Sequence, residues 1–295
     1  MRRGTVILGV CLAAVACKKS TTRAAPIAAA STVITANLTA GEQAVVTASH
    51  GQVEVVREGT VSAAKVGDRL GVKDALQTQI GEADVAVEGV KLRLHEASRL
   101  ELKQVEKRAM LARMRGGIES EVDQNARLDM EMEGSDAVAH SQGGHFFITA
   151  DGRGVVAVAT VTGTVHLYSA GATVDVNKGE VSRVMAENAL PSQPAAALRR
   201  VLLSVQWPDR KETNQPSVPI AGKVEPGSRV FVQGQPVAVE AGGTFRAQVP
   251  LKQGKQKIAV VTVDALGRRK QVEGVVLRDD SLPQAKVKKK LWQWH

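Results

Sequence analysis

The sequence predicts an all-β protein, with a long twisted-sheet or β-solenoid domain followed by a small β-sandwich. Three observations predict it. From Val45 to Glu180, short runs alternate apolar and polar residues and are closed by Gly, Asp or Asn; this is the period of strands that bury one face. Of the 10 prolines only Pro26 precedes Pro191, and proline is excluded from interior ladders, so residues 27–190 read as continuously paired. Aromatic residues make up only 3% of the chain while Val, Ala and Gly are plentiful, a mixture suited to short strands and tight turns.

The chain opens MRRGTVILGVCLAAVACKKS. Arg2 and Arg3 form a basic n-region, and Val6–Ala16 is an apolar stretch too short to span a bilayer but suited to a signal-peptide core. Ala14-Val15-Ala16-Cys17 resembles the bacterial lipobox, with Ala14 where that motif usually has Leu. The resemblance implies residues 1–16 as a signal peptide and Cys17 as the lipidated residue of a membrane-anchored lipoprotein. An ordinary secretory signal with a chance cysteine is the alternative. Lys18 follows the cysteine where inner-membrane retention usually wants Asp, so the expected site is the outer membrane, facing periplasm or cell surface.

Residues 17–40, rich in Ala, Ser and Thr, are expected to be a tether. Cys11 lies in the signal, so the mature chain has no thiol pair and its domains must rely on packed cores. The net charge is +9, but Arg2 and Arg3 belong to the signal and Lys286, Lys288, Lys289 and Lys290 lie in the last ten residues. The body is mildly basic, and no nucleic-acid partner is expected.

Within the β region, 41–190, runs such as Gln52–Arg57, Ala83–Val87, Lys91–Leu94, Arg127–Met132, Val155–Val161 and Thr164–Tyr168 are read as strands. Their spacing leaves no room for helical crossovers, so the sheet should be antiparallel or coil into a solenoid. Glu101–Arg115 is the exception. It is composed of strong helix formers, yet its context predicts a strand with Met110, Ala112 and Met114 on one face. Residues 191–215 form a connector, where Ala195–Val205 allows a short helix. Residues 216–278 carry turn signals at Pro226-Gly227, Gly242-Gly243 and Leu266-Gly267, the pattern of a small β-sandwich. Residues 279–295 form a basic, Trp-containing tail.

Gly51–Val55, Val66–Leu70 with Asp74–Thr78, Gly81–Val85 and Ser98–Leu102 follow in order, and Gly163–Val165 with Val174–Glu180 closes the set. In sequence and spacing these resemble the periplasmic FecR domain. The resemblance implies a β-solenoid-like fold and, for sigma-regulating members, sensing of an outer-membrane receptor. Those members begin with a cytoplasmic helical domain and a transmembrane span, whereas this chain opens on its signal; where the family reads R-G-T-x-F, it has Gln142–Phe146. Ile220–Val232, Gly243–Leu251 and Ala259–Arg268 resemble bacterial Ig-like modules similar to glucodextranase domain B, which implies a spacer or docking role.

Catalytic motifs are not evident: no G-x-S-x-G elbow, no phosphate loop and no HExxH. His140 and His145 are the nearest histidine pair in sequence, read as loop residues rather than metal ligands. Asp129, Glu131 and Glu133 would form an acidic stripe on a solvated face. In the tail, clustered lysines with Trp292 and Trp294 suit contact with lipid headgroups or an anionic polysaccharide; a solubilising terminus or a pinned last strand is the other reading. The expected function is therefore non-catalytic, without cofactor or metal. It is binding, assembly or signalling through protein partners at the envelope, with sensing or glycan binding as alternatives.

Overall fold

The computed structural model describes residues 42–208 and 211–281, which belong to one compact unit. They are all β, as expected, and contain no helix among the described residues. The first thirteen strands are β1 (Ala44–Arg57), β2 (Thr60–Ala63), β3 (Arg69–Leu70), β4 (Ala75–Val87), β5 (Val90–Leu94), β6 (Ser98–Glu106), β7 (Ala109–Val122), β8 (Arg127–Met132), β9 (Val138–Ser141), β10 (Gly144–Ala150), β11 (Val155–Ser169), β12 (Ala172–Asn177) and β13 (Glu180–Met185). With β14 (Ala195–Ala196) they form a single 14-stranded sheet.

Four of these strands are far longer than the usual five or six residues, and each changes neighbours midway. β7 pairs with β6 and β8 through Ala109–Arg115, then with β5 and β10 through Gly116–Val122. β1, β4 and β11 divide in the same way, near Gly51, Gly81 and Gly163. The sheet thus rolls over itself into two layers, with corners made by bent strands. One layer runs β3-β1-β4-β5-β7-β10-β11-β13-β14 and the other β2-β1-β4-β6-β7-β8-β9-β11-β12. Antiparallel pairing prevails in this sheet. The parallel pair β7–β8 needs a connection of only residues 123–126, because the bend in β7 returns the chain to its own start, where Arg127 N–H donates to Arg108 O at 2.8 Å.

The corners require glycine. Gly51 and Gly81 are cross-strand partners with φ of +81° and +132°. A Cβ on Gly81 would stand 1.9 Å from His50 O, and one on Gly51 would stand 2.2 Å from Ile80 O, so only a bare Cα lets the backbones approach. Between the layers lies one continuous core. Val85, Leu92, Ile118, Phe146 and Val158 from one layer meet Leu76, Leu100, Met114, Leu128 and Leu167 from the other. The disputed 101–115 segment is strand, divided between β6 and β7 by a turn at Lys107-Arg108. Met110, Ala112 and Met114 are buried as expected; cross-strand pairing on both sides outweighs local helix propensity.

The helix allowed over Ala195–Val205 is not formed. Ala195-Ala196 instead pairs with Glu180-Val181, and β15 (Leu203–Gln206) pairs with Ala221–Val224, packing Leu203 and Val205 on the second core. Sheet edges on either side capture the backbone that a helix would have used. The remaining strands are β16 (Glu212–Thr213), β17 (Ser217–Val224), β18 (Arg229–Val232), β19 (Gln235–Val237), β20 (Thr244–Pro250), β21 (Gly254–Val263) and β22 (Arg269–Arg278). Sheets β15-β17-β20 and β16-β22-β21-β18-β19 enclose Ile220, Phe245, Ile258 and Val260.

Candidate functional site

Turns of the sandwich seat on the outer face of the rolled sheet. In β11, Val156 and Val158 face the rolled core, while Ala157 and Ala159 form a second small cluster with Val181 and Ala265. Small residues permit this close approach. A Cβ on Gly227 would lie 2.7 Å from the Ala157 Cβ, and one on Gly267 would lie 2.8 Å from the Phe147 ring. Thr149 Oγ1 donates to Gly227 O at 2.7 Å, Arg183 Nε donates to Pro226 O at 2.8 Å, and Arg183 pairs with Glu225. The Pro-Gly and Leu-Gly turns, legible in the sequence as hairpin signals, are therefore also docking contacts.

Beside this joint opens a cleft of about 640 Å³, within the roughly 300–1,000 Å³ of ligand sites. One wall is the corner of the rolled sheet around Ile80 and Arg99, and the other is the β18–β19 hairpin from Ser228 to Val239. Arg99, Arg115, Arg153 and Arg229 line it, against a single carboxylate, Asp151. Arg115 is paired with Glu133 at 3.2 Å and Arg153 with Asp151 at 3.5 Å. Arg99 donates a hydrogen bond to the Gln77 amide oxygen at 3.2 Å and has no carboxylate within 4.0 Å among the described residues.

Arg229 is the hinge pin of the site. Its guanidinium donates to the carbonyl oxygens of Glu96 and Ala97, lies 5.1 Å from the Phe231 ring centre, and leaves Nη1 shielded and without a partner among the described residues. The neighbouring Glu96 carboxylate is taken by Arg269 at 2.7 Å. Burial pushes the Arg229 guanidinium down to about 10; the Glu96 charge opposes this and Arg269 adds to it. At neutral pH the group therefore stays cationic in a partly desolvated setting, where an approaching anion gains more than it would in open water.

The residues singled out in the sequence fall elsewhere. Cys17 and the tail set Lys286, Lys288, Lys289, Lys290, Trp292 and Trp294 lie outside the described residues. His140 and His145 stand in strands β9 and β10 rather than in loops, and each has its own carboxylate partner. His140 contacts Asp129 and His145 contacts Glu119, each at 2.7 Å. The acidic stripe is internally compensated. Asp129 meets Arg127 at 2.7 Å, Glu131 meets Arg113 at 2.9 Å and Glu133 meets Arg115. The cleft arginines went unread because they come from four separate segments; the one local signal was Arg229, a charge opening the apolar run Val230-Phe231-Val232.

No protein-family model matches the chain, and no curated protein matches it. Among solved structures it is similar to a candidate anti-sigma factor from Parabacteroides distasonis ATCC 8503, in crystal structures at 1.65 Å and 2.50 Å resolution. Identities are 16% and 17%, and both have a TM-score of 0.36 and cover 41% of this chain and 59% of that one. A polysaccharide lyase matches at 9% identity and a TM-score of 0.21, covering 81% of this chain and 40% of the lyase. The chain spans less than two thirds of the length of each of these structures.

Proposed function

We propose that this chain is a non-catalytic, exported lipoprotein of the bacterial cell envelope, anchored through lipidated Cys17, that holds an acidic segment of an envelope protein in the cleft between its two β modules. The observation that carries the reading is the cleft lining: four arginines against one carboxylate, with Arg99 unpaired to any acid among the described residues. Guanidinium groups recognise carboxylates through charge-assisted, geometrically specific hydrogen bonds. The walls come from two modules locked together by ion pairs and small-residue packing, so the site is held open before a partner arrives, which lowers the ordering cost of binding. The basic tail would add a contact with anionic lipid headgroups.

Capture from native envelopes by the lipidated wild type and by an Arg99→Gln, Arg153→Gln variant, with mass spectrometry, tests the cleft. An acidic envelope protein retained by the wild type and depleted at least tenfold from the variant is the expected result. Equal capture by both removes the cleft from the proposal. Metabolic fatty-acid labelling of wild type against Cys17→Ser tests the anchor, and equal labelling overturns it.

A further inference from the structure

On the outer face of the second layer, four strands place Asp129, His140, His166 and Asp175 side by side in one row. The register is continuous: Asp129 opposes His140, His140 opposes His166, and His166 opposes Asp175. The two imidazoles stack with ring centres 5.9 Å apart and planes 22° apart. Each Nδ1 is 2.7 Å from its own aspartate, His140 on Asp129 and His166 on Asp175. An ionised carboxylate only accepts hydrogen bonds, so each Nδ1 carries the hydrogen and each neutral ring keeps its lone pair on Nε2. Neither Nε2 has a hydrogen-bond partner among the described residues, and the side chains are 29% and 47% exposed.

A carboxylate on one ring nitrogen and a free lone pair on the other is how metal-ligating histidines are oriented. We infer that His140 and His166 form a two-histidine site for a divalent transition metal of the Cu²⁺ or Zn²⁺ class, with Asp129 and Asp175 as the carboxylates that orient them. Imidazole suits these metals, and Cu²⁺ stands highest in divalent affinity. Metal–nitrogen bonds of about 2.0–2.1 Å require the two Nε2 atoms to stand roughly 3–4 Å apart. With ring centres 5.9 Å apart, the exposed rings would lean together to close on the metal. No three His, Cys, Asp or Glu side chains among the described residues form a metal-binding group, so water completes the coordination and the site is an exchangeable one. Its metal would cross-link β9 to β11.

The test is Cu²⁺ titration of the full chain, read by electron paramagnetic resonance and by thermal melting. One equivalent should bind with two-nitrogen coupling and raise the melting temperature, as expected for a ligand of the folded state. His140→Gln and His166→Gln should each lose the two-nitrogen signal and the thermal shift. Asp129→Asn and Asp175→Asn should weaken binding roughly 10–100-fold, and His145→Gln should change nothing. Far-UV circular dichroism establishes that each variant is folded. The inference is overturned if folded wild type binds no Cu²⁺, or if the two-nitrogen signal survives in both histidine variants.

Discussion

The Nη1 of Arg229 rests on the bare Cα of Gly117, where a Cβ would stand 2.5 Å from it. The sandwich thus reaches into the rolled sheet through a guanidinium that fits only because β7 carries no side chain at that point. Gly117 has no positive φ, so alanine there is strained by contact alone. Gly117→Ala should displace a guanidinium held by Glu96 O and Ala97 O, at a cost of about 1–3 kcal/mol. In an Arg229→Met background the same change should cost clearly less, since the atom it strikes is gone. A double-mutant cycle by urea denaturation checks this; additive losses would mean that the two residues do not communicate.

A turn glycine and a corner glycine separate conformational strain from steric collision. Gly59 has a φ of +82° but open space where a Cβ would go, whereas Gly81 combines a φ of +132° with backbone 1.9 Å away. Gly59→Ala should cost about 1 kcal/mol, the penalty of a left-handed alanine. Gly81→Ala should cost more than about 3 kcal/mol, because the β1–β4 corner cannot close over a methyl group. Comparable losses at the two positions would show that the corner yields.

What could be read in the sequence was whatever is periodic along the chain. Alternation in Val90–Leu94 and Arg127–Met132 appears as alternating burial, and the strand reading of 101–115 rested on the same period. What could not be read depends on the third dimension. Gly51, Gly81 and Gly163 look like turn residues, yet they sit within strands and roll the sheet. That rolling brings Arg99 towards Arg229 and pairs His140 with His166, 26 positions away. Ala195–Val205 misled for a similar reason, since its fate was decided by the sheet edges it meets rather than by its own propensities.

Ser120 is fully buried in the core of the rolled sheet, and its Oγ has no hydrogen-bond partner among the described residues. A hydroxyl desolvated without compensation is a net cost. Ser120→Ala should therefore stabilise the protein by about 1 kcal/mol, seen as a higher denaturation midpoint with an unchanged m value. A lower midpoint would imply that the hydroxyl is satisfied by buried water.

Asp129 makes acid stability readable at one residue. Burial alone would raise its carboxyl. Hydrogen bonds from His140 and Arg127, with the charges of both, outweigh burial and hold it below its ordinary value of 3.8. A carboxyl whose folded value is depressed contributes stability that is complete above the unfolded value and is lost as pH falls through the folded one. Asp129→Asn removes this titration. Wild type should exceed the variant while the carboxylate is ionised, and the margin should shrink as pH falls below 3.8. Urea midpoints for both proteins from pH 7 to pH 2 provide the comparison. A margin that widened in acid would reverse the assigned sign, and a margin independent of pH would mean that the contacts with Arg127 and His140 do not favour the ionised carboxylate.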